Sequence, residues 1–159
     1  MAQFVTDRKP EHVELLKRLR KKSWADMTSS EKDLWYGEAA KGAYNHMDLN
    51  RVESVVAEIV GMTGLALTTK TNWTVWDVPL TTDMERYIGN VKDILNYCRT
   101  ITDISGYPAL PTTMNNLTLS GANNIEKVLE LAYEAIRHYH RPAAALGEFT
   151  IGLSTLGGK

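Results

Sequence analysis

Apolar residues recur at helical spacing in several stretches of this chain, separated by segments rich in Thr, Gly and Pro. The stretches at 49–60 and 84–95 place apolar side chains at i, i+3 and i+4, which is one face of a helix. From 122 to 139 the apolar steps alternate between three and four residues, a 3.5-residue period typical of a packed helix. We therefore predict three long helices whose apolar stripes are Leu49, Val52, Val55, Val56, Ile59 and Val60; Met84, Tyr87, Ile88, Val91, Ile94 and Leu95; and Ala122, Ile125, Leu129, Ala132, Ile136 and Tyr139.

Local signals predict where helices begin and end. Pro10 and Glu11 suit the start of a first helix. The T-x-x-E pattern of a capping box occurs at 28–31 and again at 82–85. Asp48 and Ser120 are the predicted caps of the helices that begin near 48 and 120. Gly42, the glycine-bearing stretch 61–64 and Pro142 are the predicted stops.

The segment 66–79 is rich in Thr, Val and Trp, which favours an extended connection or a strand. Alternating apolar residues after Gly147 predict a short strand or extended arm. The fold class predicted is mainly α: a small bundle of four or five helices with minor β or extended segments at the termini and near residues 66–79. We assign residues 1–146 to the helical domain and 147–159 to an extended C-terminal arm.

Composition narrows the protein class. A chain of 159 residues with 43 % hydrophobic residues is long enough to bury one core. Its single cysteine, Cys98, cannot form an internal disulfide, and no leader pattern opens the chain, so we expect folding in a reducing cytoplasm. The apolar runs are too short to span a membrane.

Charge is concentrated near the start of the chain. Residues 1–22 hold seven basic and three acidic side chains, whereas the net charge of the whole chain is −1. A basic arm for nucleic acid is one interpretation. A solvated helix face with Lys and Arg near its C-terminus is the other, and we favour it because no aromatic residues are interleaved with the charges.

Motifs for catalysis, cofactors or metals are not found in the sequence. His138 and His140 are two residues apart and so point to different sides of a helix, unlike the i, i+4 pair of a zinc protease. No nucleophile elbow, phosphate loop or dinucleotide fingerprint occurs. Cys98 has apolar neighbours, which is typical of a core residue. We therefore expect no enzyme activity, no catalytic residues, no cofactor and no metal site.

Two groups of polar residues stand at predicted helix starts, and we single them out as candidate site residues. They are interpreted either as an interface or as capping combined with a polar network that fixes the order of the helices, which we favour. The first group is Asn45, Asp48, Asn50, Arg51 and Glu53; the second is Asn123, Asn124 and Glu126.

Apolar residues outside the helices are candidate contacts with other proteins. Trp73 and Trp76 lie in the central connection, and Trp is enriched among the residues that dominate binding energy. Phe4 and Val5 at one end, and Phe149, Ile151 and Leu153 at the other, are candidate docking arms. Each of them could equally cover the domain's own core.

The order and spacing of short motifs across residues 4–152 resemble a helical domain of phage and prophage structural proteins from Gram-positive, clostridia-like bacteria, usually encoded near tail-fibre or baseplate proteins. The matching pieces are Thr6-Asp7-Arg8; Trp24 to Lys32; Lys41 to Asn45; Asp48 to Glu53; Trp73; Asp77-Val78-Pro79; Arg86-Tyr87-Ile88; Asn90-Val91; Pro108 to Pro111; Ala122 to Leu129; and Gly147-Glu148.

This resemblance implies a non-enzymatic virion structural protein, assembled in the bacterial host cytoplasm, that acts by binding other virion proteins. A tail, baseplate or fibre-adaptor component fits best, and a homo-oligomer within the particle is the default expectation. A capsid decoration or head-fibre subunit is the alternative location. A small nucleic-acid-binding regulator that uses the basic first helix is the alternative class, although the balanced net charge argues against nucleic acid as a partner.

Overall fold

Five α-helices and one 3₁₀ turn make up the regular structure in a computed structural model that describes residues 2–36 and 41–140. The helices are α1 (Pro10–Leu19), α2 (Ser29–Tyr36), α3 (His46–Thr63), α4 (Thr81–Ile101) and α5 (Leu119–Tyr139), and the 3₁₀ turn (Trp24–Asp26) joins α1 to α2. The prediction of a mainly α bundle with four or five helices is confirmed. The predicted C-terminal arm, 147–159, lies outside the described residues.

The core lies between α3, α4 and α5, which pack against one another through their apolar stripes. Val52 and Ile59 on α3, Ile94 on α4, and Ile125 and Leu129 on α5 are all buried. Helical spacing puts such residues on one face, and burial of that face is the main stabilising term of a bundle. Tyr139 is exposed, because the predicted stripe of α5 continues past the end of the core.

The two shorter helices, α1 and α2, pack against each other outside this three-helix core. Gly42 determines how α1 approaches the chain that leads into α3. A Cβ atom at Gly42 would lie 2.2 Å from the carbonyl oxygen of His12 and 2.8 Å from the backbone nitrogen of Val13. Backbone atoms cannot give way as a flexible side chain can, so only glycine permits this contact.

The predicted helix boundaries are partly confirmed. Thr28 and Glu31 form the predicted reciprocal cap, with Glu31 Oε2 accepting from the Thr28 amide at 3.0 Å. The second predicted box, 82–85, is wrong: α4 starts earlier, and Asp83 Oδ2 accepts from the Leu80 amide at 2.9 Å. The carboxylate of the third helical residue is within reach of the N-cap amide, which has no backbone partner inside the helix.

The observed N-caps of α3 and α5 lie three and two residues before the predicted ones. Asn45, not Asp48, is the N-cap of α3; its side chain accepts from the Met47 amide at 2.8 Å. Thr118, not Ser120, caps α5, because Thr118 is the last residue with extended backbone and its hydroxyl accepts from the Gly121 amide at 3.0 Å. Gly64 ends α3 in the left-handed conformation, as the glycine-bearing stretch predicts.

Of the two possibilities predicted for 66–79, an extended connection or a strand, the structure has the extended connection. Within 2–36 and 41–140 no residue is in a strand, and the connection between α3 and α4 is extended without a pairing partner. Its backbone groups bind side chains on the neighbouring helices instead, and two of those side chains, Asn50 and Glu53, belong to the predicted polar residues.

Candidate functional site

Four charged side chains from three parts of the chain meet in the interior, and we call them the ionic cluster: Arg8, Asp48, Arg51 and Glu126. Arg8 Nη2 donates to Glu126 Oε1 at 2.6 Å and to Asp48 Oδ1 at 2.7 Å. Arg51 donates to the same carboxylate of Glu126 from Nη2 at 2.7 Å and from Nε at 3.0 Å, and it also donates to Asp48. The cluster therefore ties the N-terminal segment, α3 and α5 together.

The charges of the ionic cluster are balanced, with two guanidinium groups facing two carboxylates. Glu126 is fully buried and Arg8 nearly so. Burial lowers the pKa of Arg8 and of Arg51, but the hydrogen bonds and charges of Glu126 and Asp48 outweigh that effect, so both pKa values lie above the ordinary value. A buried pair persists only when it is hydrogen-bonded in this way. Both arginines are thus held in their charged form.

A tyrosine pair lies next to the ionic cluster. The hydroxyls of Tyr44 and Tyr87 are hydrogen-bonded to each other, and the guanidinium of Arg8 lies 5.2 Å from the Tyr44 ring centroid. Burial raises the pKa of both phenols, and the charge of Glu126 raises them further. Both tyrosines are therefore neutral hydrogen-bonding groups rather than proton donors poised for chemistry.

Asn123 and Glu126 hold the N-terminal segment against α5. The Asn123 side chain accepts from the Arg8 amide and donates to the Arg8 carbonyl, both at 3.0 Å. Glu126 Oε2 accepts from the Val5 amide at 2.6 Å. We call such a pair, an Asn and a Glu three residues apart on one helix, an asparagine–glutamate clamp. Phe4 and Val5, the predicted docking arm at this end, are used inside the domain, where Phe4 packs against the core.

A second asparagine–glutamate clamp on α3 has the same register. The Asn50 side chain accepts from the Trp73 amide at 2.7 Å and donates to the Trp73 carbonyl at 2.8 Å. Glu53 Oε2 accepts from the Lys70 amide at 3.1 Å. In both clamps the residue bound by Glu is three before the residue bound by Asn. In each clamp, helix side chains satisfy backbone N–H and C=O groups that would otherwise need another partner.

Arg86 and Asn90 on α4 complete the contacts of the connection. Arg86 pairs with the buried carboxylate of Glu53, with Nη2 at 2.6 Å from Oε1, and this hydrogen bond raises the pKa of Arg86. Arg86 Nη1 and Asn90 Nδ2 both donate to the Thr68 carbonyl at 2.8 Å. The connection is therefore fixed to two helices by side chains.

The predicted polar residues thus separate into five positions, of which the cap of α3 (Asn45) and the first clamp (Asn123) are described above. Asp48, Arg51 and Glu126 come together in the ionic cluster, while Asn50 and Glu53 serve the second clamp. Asn124 Nδ2 donates to the Ala109 carbonyl at 2.8 Å and so holds the loop between α4 and α5. This geometry favours a network that fixes the order of the helices.

Sequence reasoning missed Arg8 and Arg86, the cations that balance these carboxylates. Arg8 stands in a basic run whose favoured interpretation is a solvated face. The signal that could have found both is the resemblance itself, because Thr6-Asp7-Arg8 and Arg86-Tyr87-Ile88 are two of its pieces. Of the other basic residues near the start, Lys17 pairs with Glu14 at 2.8 Å and Lys22 with Glu31 at 2.7 Å.

Trp73 is buried, with 3 % of its surface exposed, and it packs in the core between the helices. Of the two interpretations of Trp73, the one in which it covers the domain's own core is therefore confirmed. The asparagine–glutamate clamp on α3 holds its backbone, and Lys70 Nζ lies 3.7 Å from its ring centroid. The predicted contacts Phe149, Ile151 and Leu153 lie outside the described residues.

Residues 75–80, which we call the apolar loop, follow Trp73 and lie on the surface. Trp76 is 88 % exposed, Val78 83 %, and Val75 and Leu80 are exposed as well. The loop is held by Asp77, whose carboxylate accepts from the Thr74 amide at 2.6 Å and from its hydroxyl at 2.7 Å. These bonds, with a third from Lys70, lower the pKa of Asp77 to about 2.

A groove of about 430 Å³ runs beside the apolar loop. Its apolar walls come from α3, α4 and the loop before α5 through Leu49, Met84, Met114 and Leu117. Val75 and Pro79 of the apolar loop form part of its edge, whereas Trp76 does not line it. Groove volumes of this size accommodate a large side chain or a small ligand.

The described part of the chain contains no group of three or more His, Cys, Asp or Glu side chains placed to hold a metal ion. Cys98 is buried, and burial raises the pKa of its thiol. None of the described helices is long and apolar enough to cross a membrane. Comparison with protein-family models, with curated proteins and with solved structures finds no match for this chain.

Proposed function

We propose that this chain is a non-enzymatic structural subunit of a phage or phage-like particle. In this proposal it is a tail, baseplate or fibre-adaptor component that acts through protein–protein contacts. The observation that carries the proposal is the apolar loop, which presents Trp76 and Val78 almost fully exposed on a rigid support. Large exposed apolar patches on a folded domain mark interaction sites.

The rigidity of the apolar loop supports a binding role. The clamp of Asn50 fixes Trp73, two residues before the loop, and Asp77 fixes the middle of the loop. Because these bonds order the loop before any partner arrives, little conformational entropy is lost on binding. Burial of a tryptophan at the centre of an interface contributes roughly 2 kcal/mol or more.

The resemblance supports the same proposal from another direction. Several of its pieces coincide with the internal contacts of the scaffold: Arg8 and Glu126 in the ionic cluster, Gly42 against α1, and Asn50 in its clamp. Those residues have internal roles, whereas Trp76 and Val78 of the apolar loop are almost fully exposed. A capsid decoration or head-fibre subunit would use the same surface at another place in the particle.

Immunogold electron microscopy of induced particles, with antibody against this chain, tests the proposal. Label at the tail tip supports the tail or baseplate location, and label on the head supports the decoration alternative. Unlabelled particles, with the antigen in the soluble lysate, contradict both. In that case duplex DNA binding with a steep salt dependence would identify the regulator that uses the basic first helix.

Variants connect the location to the apolar loop. Trp76→Ser should reduce the amount of chain that co-purifies with particles, because the exposed anchor is removed while the core is untouched. Tyr139→Ser is the matched control, since Tyr139 is also an exposed aromatic residue, at the far end of α5. Equal incorporation of both variants would contradict the assignment of the interface to the apolar loop.

A further inference from the structure

We propose that the partner of the apolar loop is a second copy of this chain, with Trp76 of each copy inserted into the groove of the other. The inference deepens the proposed function by naming one of the proteins that the subunit binds. It rests on three properties of the surface: the position of the groove, its size and its charge.

Position favours a symmetric pair. Val75 and Pro79 edge the groove, so Trp76, which lies between them in the chain, stands beside its own groove without filling it. In a twofold pair, the same surface of both copies faces the partner. Trp76 of the first copy then meets the groove of the second, and Trp76 of the second meets the groove of the first. Both contacts therefore form at once. A partner that only fills the groove would leave Trp76 exposed.

Size and surface chemistry also match. The groove holds about 430 Å³ between Leu49, Met84, Met114 and Leu117. An indole buries on the order of 150–250 Å² and favours apolar walls with adaptable methionine side chains. Two indoles alone supply less than the roughly 1,200 Å² of a standard interface, so Val78 and Leu80 also have to be covered. We expect a dissociation constant on the order of micromolar.

Charge does not oppose the contact. Asp77 is the carboxylate on the edge of the groove, and Lys70 Nζ lies 3.1 Å from it in the same copy. Each copy therefore brings a neutralised pair to the twofold axis rather than a bare charge. Like charges facing each other would oppose the contact.

Sedimentation velocity of the full chain across the micromolar range tests the inference. The wild-type chain should be dimeric, and Trp76→Ser should raise the dissociation constant at least about 30-fold. Met114→Arg should do the same from the groove side, with Met84→Arg as the second groove variant should Met114→Arg lose its helical circular dichroism. Tyr139→Ser should dimerise as the wild type does.

Mixing the two variants gives the sharpest outcome. A Trp76→Ser dimer and a Met114→Arg dimer each lose both contacts, whereas a mixed pair keeps one intact groove facing one intact Trp76. The mixture should therefore dimerise more tightly than either variant alone. No gain on mixing, a monomeric wild type, or a dimer that survives Trp76→Ser would each overturn the inference.

Three further outcomes are informative. The first tests whether the groove is filled by residues 147–159 of the same chain, and the other two separate failure of the dimer from failure of the proposed function. A full chain that is monomeric, but becomes dimeric when residues 147–159 are removed, would assign the groove to the tail and overturn the second-copy proposal. A monomeric chain that still labels particles overturns the dimer and leaves the proposed function standing. A Trp76-dependent dimer that is missing from particles overturns the proposed function and leaves the dimer standing.

Discussion

Replacing Glu126 by Gln tests whether the ionic cluster holds the three parts of the domain together. Glu126 accepts four hydrogen bonds: from the Val5 amide at 2.6 Å, from Arg8 Nη2 at 2.6 Å, and from Arg51 Nη2 and Nε at 2.7 and 3.0 Å. Gln has nearly the same shape but carries no charge and presents an NH₂ group in place of one oxygen. Two of the four donors would then face another donor.

The expected cost follows from burial and charge. Glu126 is fully buried, so the change leaves two guanidinium groups facing only the carboxylate of Asp48. Removing one member of a buried, hydrogen-bonded charge pair costs about 3–5 kcal/mol. The total stability of a domain is about 5–15 kcal/mol. At about 2–4 °C per kcal/mol for a chain of this size, we expect the Tm to fall by about 10 °C.

Urea unfolding at pH 7, followed by circular dichroism and tryptophan fluorescence, measures this loss. Glu130→Gln is the matched control, because Glu130 pairs with Lys127 at 2.7 Å on the exposed side of the same helix. An exposed pair contributes less than about 1 kcal/mol. The double variant of Arg8→Met with Glu126→Gln removes one charge of each sign, so it should cost clearly less than the two single changes added together.

A small effect would refute this reasoning. If Glu126→Gln and Glu130→Gln lower the free energy of unfolding by the same amount, within about 1 kcal/mol, the carboxylate of Glu126 is not buried against two arginines. Additive costs for Arg8→Met and Glu126→Gln would show that the two side chains do not interact.

Three other predictions concern single features of the fold. Gly42→Ala should lower the free energy of unfolding by about 1–3 kcal/mol and increase hydrogen exchange in α1, because the new Cβ would lie 2.2 Å from a backbone oxygen. Gly61→Ala is the control: with no neighbour within 4 Å, it should stabilise α3 by up to about 1 kcal/mol. Equal effects of the two changes would contradict this. Cys98 should resist a thiol reagent at pH 8 until urea unfolds the chain, since burial raises its pKa; immediate labelling would contradict its place in the core. The pKa values of Tyr44 and Tyr87 are raised in the fold, so the free energy of unfolding should be unaffected by these groups below the ordinary phenol pKa of about 10 and should fall as the pH rises above it. Absorbance at alkaline pH should show both phenols ionising only when the chain unfolds.

The long helices were predictable because their signal is local. A residue such as Ile125 or Leu129 belongs to a stripe that repeats every three or four positions, and one buried face per helix follows from that period alone. The capping box at Thr28 was also predictable, since both partners lie within four residues. The caps near Ser120 were predicted less well, because several hydroxyl groups compete there and backbone conformation chooses among them.

The polar residues of the site show where local reasoning ends. The sequence by itself marked Asp48, Arg51 and Glu126 as unusual, because charged residues recur among apolar ones at helix starts. It did not pair them with Arg8, whose contact with Glu126 spans more than a hundred residues of chain. Nor did it separate Trp73 from Trp76, which lie in the same connection and have opposite exposure in the fold.

The helical class, the apolar faces and the identity of most polar residues in the network were therefore predictable from the chain alone. Which charge balances which, and which tryptophan is exposed, follow from tertiary packing. The two sets differ in the distance along the chain over which they are set. Periodicity and capping act within one or two helical turns, whereas burial of a charge or an indole depends on elements that meet only when α3, α4 and α5 have packed together.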